Sequence, residues 1–332
     1  LTPAAAPGKL AARFARKVTQ MICGVRAAGM RRAAAWSSPR ALRRRAGWLL
    51  SAVAMFAGGL ACAANVVRDD MQRDVSFAHA PERIVTLLPS LTETVCALGA
   101  CGRLVATDRY SNWPSQVAAL PKAGGLDDAE IEVIVSLKPD LVLLSRSQRI
   151  TERLQALGIP SFALNTDSYA DIARSITTIG NILGVAERAA ILNDTIAQEV
   201  QGIAAQARAA RHGATPTVYF EVDPAPYAAG PGSFIGELLT QLGTHNIVTA
   251  DLGAFPKLNP EYVVRANPDV IFVSAADAPH LSDRPGWPEI RAVRERRFCS
   301  FDADVNDTIV RPGPRVADGM RAMADCLQRL GP

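Results

Sequence analysis

The chain has 332 residues, 48% of them hydrophobic and 6% aromatic, enough for one or two domains with a sizeable core. Its net charge of +4 hides an asymmetry: residues 1–64 hold eleven Lys and Arg and no acid, so removing those eleven leaves −7 on residues 65–332. An acidic body removes the main electrostatic support for a nucleic-acid partner, and none is expected.

Residues 1–64 read as a basic leader with a signal peptide. Arg40–Arg45 is a positive n-region, Trp48–Leu60 an apolar h-region of about thirteen residues, and Ala61-Cys62-Ala63 an A-x-A site, which predicts cleavage after Ala63 or Ala64 and export to the periplasm. The h-region is short for a membrane span. An uncleaved anchor and lipidation of Cys62 are the alternatives; Gly59 stands where a lipobox prefers Leu, and the arginine run matches a twin-arginine signal only weakly. Residues 1–39 are Ala- and Arg-rich, and a start at Met30 would give a leader of ordinary length.

Residues 65–80 are expected to be a mobile lead-in, followed by an N-terminal α/β lobe over 81–166. Ile84–Leu88, Leu104–Thr107, Leu141–Leu144 and Ser161–Leu164 are short apolar runs bounded by turn residues, the pattern of strands buried on both faces of a parallel sheet. The helical patterns between them are Thr92–Leu98, Asp128–Ser136 and Glu152–Leu157. Ser90 followed three residues later by Glu93 predicts a capping box at the first helix. Connecting helices follow over 167–213. Asp171–Leu183 repeats Ile and Leu at helical spacing, and Ala186 to about Arg211 runs through good helix formers broken only by Gly202. Some 25 residues at ~1.5 Å each span roughly 37 Å, the length of a stiff strut.

A C-terminal lobe over 214–332 repeats the pattern. Thr217–Val222, Val270–Val273 and Phe298–Phe301 are strands, Ser233–Leu242 is a helix, and Asn259-Pro260 caps another. LKPDLVLL at Leu137–Leu144 and ANPDVIFV at Ala266–Val273, each preceded by a helix start carrying a Glu, form an internal echo. Four cysteines lie in the mature part. A local Cys96–Cys101 bridge would clip the end of the first helix and leave Cys299 to pair with Cys326; free buried thiols are the alternative.

RIVTLLPSLTE at Arg83–Glu93, TDRYSNWP at Thr107–Pro114, LKPDLVLL, PYAAG at Pro226–Gly230, NPEYVV at Asn259–Val264 and RPGPR at Arg311–Arg315, in this order and spacing, resemble the helical-backbone (class III) periplasmic substrate-binding proteins of ABC importers. The likeness covers about residues 81–330 and is greatest to the members that bind cobalamin. It implies two Rossmann-like lobes with parallel sheets, a long rigid helix joining them, and a ligand cleft between. It also implies a monomer that is not an enzyme, holds no resident cofactor and delivers its ligand to a permease dimer in the inner membrane. Residue by residue, it places Tyr110 and Trp113 on the ligand from the first lobe, Tyr227 and Phe255 from the second, with Asp307 and Arg311 as polar contacts. Glu132 and Glu261 match two surface glutamates that dock on the permease. Two tryptophans of the cobalamin cleft fall on Leu126 and Ser145 here, which leaves another corrinoid, a siderophore–iron chelate or haem open as ligand. One family cysteine matches Cys326; its partner position is Leu242, and Cys299 is the replacement.

A broad flat ligand needs aromatic walls and a few placed polar groups, which suits this set. Each residue also has a plainer role: the aromatics as core or surface rings, Arg311 as a structural partner of Asp307, Glu132 and Glu261 as solvated helix charges. A free-metal binder would need converging ligands, and His79, His212, His245 and His280 are scattered. For an enzyme, no dinucleotide, P-loop or nucleophile-elbow motif is present, Ser90 is explained by capping, and Asp127-Asp128 and Asp302–Asp304 sit in turns.

Overall fold

The computed structural model describes residues 65–125, 128–146, 150–211, 213–224 and 226–331. The leader with its expected cleavage site, Leu126 and His212 lie outside the described residues.

Residues 65–80 differ from the expected mobile lead-in. β1 (Asn65–Arg68) and β2 (Asp74–Phe77) pair as an antiparallel hairpin, turned through Gln72 at φ 63°. Two aspartates of the turn fasten it to the body: Asp69 accepts from the Ala163 N–H (3.2 Å) and Asp70 from the Asn165 N–H (2.5 Å), while Arg174 donates to Asp70. The strands NVVR and DVSF are short and half polar, so no periodic apolar signal announces them.

The first sheet contains β3 (Ile84–Thr86), β4 (Leu104–Thr107), β5 (Leu141–Ser145) and β6 (Ser161–Leu164), all parallel in the order β4-β3-β5-β6. Its central strands are buried along their mostly apolar runs, Ile84–Thr86 and Leu141–Leu144. α1 (Pro89–Ala97), α2 (Ile131–Ser136) and α3 (Thr151–Ala156) connect them. The expected capping box at Ser90 is absent. α1 starts two residues earlier than that box implies, with Pro89 in its first turn and Leu88 at the cap; the Ser90 hydroxyl is buried without a partner, and Glu93 points elsewhere. The reciprocal box occurs at Ser168 and Asp171, opening α4 (Tyr169–Ile182). α2 begins at Ile131 instead of Asp128, because the Asp128 carboxylate accepts from the Gly125 N–H and from Arg109 in the turn before it.

α5 (Ala186–Ala210) is the expected 25-residue helix. It buries Ala189, Ile196, Val200, Ile203 and Ala204 along one face and packs on α4. The second sheet holds β7 (Thr217–Asp223), β8 (Tyr227–Ala228), β9 (His245–Asn246), β10 (Val270–Ser274) and β11 (Phe298–Phe301). Its path is β11-β10-β7-β8; β9 also pairs with β7, and every pairing is parallel except β7 with β8. Around it lie α6 (Phe234–Gln241), α7 (Pro260–Ala266), α8 (Arg291–Arg294), α9 (Ala303–Val310) and α10 (Val316–Leu330). α6 and α7 are capped by Ser233 and Asn259, the latter with Pro260 in the first turn. α10 packs against the other end of the scaffold helix α5, so one apolar cluster runs from Ile84 and Leu91 through Val200 to Phe220 and Met323.

The internal echo has a structural cause. β3 lies between β4 and β5, and β7 lies between β9 and β10, with β6 and β11 as the outer strands. In the first copy, Asp140 accepts from the backbone N–H groups of Glu82 (2.8 Å) and Arg83 (2.9 Å). In the second, Asp269 accepts from the N–H and the hydroxyl of Thr217, both at 2.8 Å. The Pro-Asp pair thus staples the start of the central strand to its neighbour in each sheet. Asp140 and Asp269 are 129 positions apart, as are Glu132 and Glu261. Cys96 and Cys101 are bonded, clipping the end of α1 to the next turn, and Cys299 on β11 is bonded to Cys326 on α10.

Candidate functional site

The carboxyl ends of the two parallel sheets, where open α/β folds take ligands, are carried toward one another by their loops. Several contacts join them. Glu93 of α1 meets Arg311 and Arg315, which follow α9. Gly313 lies so close to Ser90 that a Cβ there would sit 3.2 Å from the serine Cβ, which accounts for the small residue at position 90. The Phe234 N–H at the head of α6 donates to the Asp167 carbonyl beyond β6 (2.7 Å).

The loop after β4 carries Tyr110 and Trp113, and a buried polar chain fixes it. The Asp108 carboxylate accepts from the Tyr110 N–H (2.8 Å) and from the Ser111 hydroxyl (2.5 Å). Ser111 shares a hydroxyl contact with Thr92 (2.8 Å), and Thr92 with Thr86 of β3 (2.6 Å). Lys122 donates to the Thr107 hydroxyl and the Ser111 carbonyl. Burial pushes the Asp108 carboxyl above the usual range although the Ser111 hydrogen bond pulls the other way, and burial likewise pushes the Lys122 ammonium down. The anchoring leaves both rings outside: Tyr110 is 53% and Trp113 50% exposed.

Arg311 sits under this loop, 8% exposed. It donates to Glu93 (3.0 Å), to the Asn112 side chain (2.7 Å), to the Tyr110 carbonyl (3.1 Å) and to Asp307 (2.5 Å). Asn112 in turn donates to Asp307 (3.3 Å). Arg315 grips Glu93 through two nitrogens (2.9 and 2.6 Å) and lies over the Trp113 ring, 5.2 Å from its centroid. Two guanidiniums therefore face two carboxylates, a balanced and mostly buried cluster that ties the first sheet to the second.

Tyr227 and Phe255 come together on another pair of loops. Residues 226–230 and 254–258 run antiparallel, with the Ala228 N–H donating to Pro256, the Leu258 N–H to Pro226 and the Gly230 N–H to Ala254. The approach needs glycine: a Cβ at Gly230 would lie 2.2 Å from the Gly253 carbonyl. Tyr227 and Phe255 are 41% and 37% exposed, Lys257 lies over the Tyr227 ring, and Phe255 touches Phe234, the residue whose N–H reaches Asp167 beyond β6.

Of the expected ligand residues, Tyr110, Trp113, Asp307 and Arg311 thus form one cluster, and Tyr227 and Phe255 a second. Ser145 ends β5 half-buried. Glu132 and Glu261 each stand second in their helix, α2 and α7, exposed and without an ion pair among the described residues. Sequence reasoning missed Glu93, Asn112 and Arg315. Glu93 did leave a trace: it is the single charge in PSLTETVCA, a segment otherwise apolar or hydroxylic, and an ordinary helix surface would carry more. Among the described residues no group of three or more His, Cys, Asp or Glu could hold a metal ion.

Comparison with known proteins agrees with this architecture. A family model described as periplasmic binding protein matches residues 84–305. An uncharacterised ABC transporter substrate-binding lipoprotein of Bacillus subtilis is 30% identical over 270 residues, covering 79% of this chain and 84% of that protein. A cobalamin-binding protein of Halobacterium salinarum is 29% identical over 278 residues, 80% and 74% of the two chains. The solved apo structure of the periplasmic haem-binding protein RhuT from Roseiflexus superposes with a TM-score of 0.66 at 26% identity, over 75% of this chain and 98% of the other.

Proposed function

This chain belongs to the periplasmic binding protein family, and on that premise we propose that it is the solute-binding component of an ABC importer whose ligand is a broad metal chelate, cobalamin or another corrinoid first. The observation that carries the proposal is the pair of outward rings, Tyr110 and Trp113, on a loop tied down by the Asp108–Ser111–Thr92 chain beside the joined lobes. Rings fixed before a ligand arrives lose little entropy on binding and suit a flat conjugated guest. Tyr227 and Phe255 supply the facing wall from the second lobe, and by the sequence resemblance Leu126 and Ser145 fall where the family carries larger rings. The relative named as cobalamin-binding supports the ligand class.

The work done is capture and delivery. The 25-residue α5 limits the lobes to small closure. The loaded protein diffuses as a monomer through the periplasm to a permease dimer and docks through Glu132 and Glu261, whose separation fixes orientation and speeds encounter more than it adds affinity. ATP is hydrolysed on the importer, so no catalytic residue is required here.

Haem or a siderophore–iron chelate is the second reading. It is favoured by the haem-binding structural neighbour and by the exposed Tyr110 phenol, since tyrosine can ligate haem iron. Calorimetry and absorbance titration of the purified protein with cyanocobalamin, haemin and a ferric hydroxamate decide among them. One-to-one saturation by cobalamin is expected. Saturation by haemin alone moves the assignment to the second reading, and failure of all three overturns the chelate class.

A further inference from the structure

Arg211 closes the C-terminal end of α5 and is 6% exposed, yet none of its three guanidinium nitrogens has a hydrogen-bond partner or contact with solvent. Its neighbours offer no relief. Arg208, one turn earlier, is itself a cation and spends its Nε on the Gln241 carbonyl (2.7 Å), and the Arg211 Nη2 would stand 3.2 Å from a Cβ at Gly243. Burial, and then the Arg208 charge, push the Arg211 guanidinium pKa down. A buried guanidinium with neither water nor a counter-ion is costly to keep, whereas a paired one is common.

The same side chain lines a cavity of about 260 Å³ between α5 and α10. Ile203, Ala207 and Leu327 give that cavity an apolar floor, and Gln206 and Gln328 add amide groups at its exposed rim. Asp325 also borders it, but it is exposed and forms no ion pair with Arg211. The space holds an ion of phosphate size with accompanying water, one water taking about 30 Å³ of liquid.

From this juxtaposition we infer that the α5–α10 cavity is a binding site for a small oxyanion, phosphate or carboxylate, with Arg211, whose nitrogens are closed off from the space in this conformation, turning into it by a rotamer change to become its charge partner. Arginine is the side chain best suited to grip two oxygens of such an ion at once. The site is distinct from the aromatic clusters and does not rest on the transport reading.

The test is thermal unfolding of the full chain in increasing inorganic phosphate, with ionic strength held constant by chloride, and a parallel series in butyrate. The melting temperature should rise saturably, by about 5 °C at a hundredfold excess over Kd. A larger rise in butyrate identifies an organic carboxylate as occupant, and a larger rise in phosphate identifies the inorganic ion. Arg211→Met should lose the rise while folding at least as well without anion, because it removes an uncompensated buried charge; Arg211→Lys should keep part of it. A melting temperature indifferent to both anions, or an equal rise in Arg211→Met, overturns the site.

Discussion

Glu93→Gln probes the seam between the sheets. The Glu93 side chain is 2% exposed and receives one hydrogen bond from Arg311 (3.0 Å) and two from Arg315 (2.9 and 2.6 Å). Removing one partner of a buried pair costs about 3–5 kcal/mol. Arg311 would keep Asp307, Asn112 and the Tyr110 carbonyl, so the lower end applies, about 3 kcal/mol. For a body of this size that is a fall of about 6 °C in melting temperature. Urea unfolding of Glu93→Gln, Arg311→Met and the double variant measures the coupling, which should exceed about 1 kcal/mol for residues in one network. Strictly additive losses, or a Glu93→Gln cost under about 1 kcal/mol, would show that the arginines do not depend on this carboxylate and that the remaining contacts hold the lobes together.

Three further outcomes are expected. Tyr110→Ala and Tyr227→Ala should each weaken cobalamin binding about tenfold, roughly 1.4 kcal/mol, in calorimetry; a variant with parental affinity takes that ring out of the wall. Glu132→Lys with Glu261→Lys should abolish stimulation of the importer's ATPase and leave ligand affinity unchanged, so intact stimulation sinks the docking role. In acid, burial works to raise the carboxyls of Asp171 and Asp269, but hydrogen bonds from Arg174 and Ser168 in one case, and from Thr217 with the Arg291 charge in the other, outweigh it and hold both below the ordinary range. A carboxyl lowered on folding adds stability above its unfolded value and loses it as pH falls through the folded one. Asp171→Asn and Asp269→Asn should therefore be less stable than the parent at pH 7, with the gap closing below about pH 4 in denaturant titrations; a gap independent of pH refutes the linkage.

Strands such as β5 and β10 were legible because burial on both faces leaves an uninterrupted apolar run between turn residues. α5 was legible because 25 positions pass with only Gly202 against them, and Ser233 and Asn259 announced real caps because each precedes a helical pattern directly. The hairpin at β1 and β2 was hidden by its brevity and charge. α9, with the sequence ADVNDTIV, was hidden by having too few apolar residues for a period to show. Ser90 and Glu93 had the spacing of a capping box, but Pro89 opened the helix two residues sooner and freed the glutamate for a partner 218 positions away. A contact of that range leaves no local pattern, which is why the aromatic residues came from resemblance and the ionic cluster beneath them from coordinates alone.

The stretch from the start of α2 to the end of β5 has a counterpart of equal length from the start of α7 to the end of β10. Each outward carboxylate therefore keeps one address relative to its own backbone. A molecule with no symmetry of its own can in this way present a twofold mate with two matching handles. One residue inserted in either copy between the helix start and its glutamate would swing that handle by about 100° around the helix axis. The pair would cease to match although charge, composition and fold stayed the same.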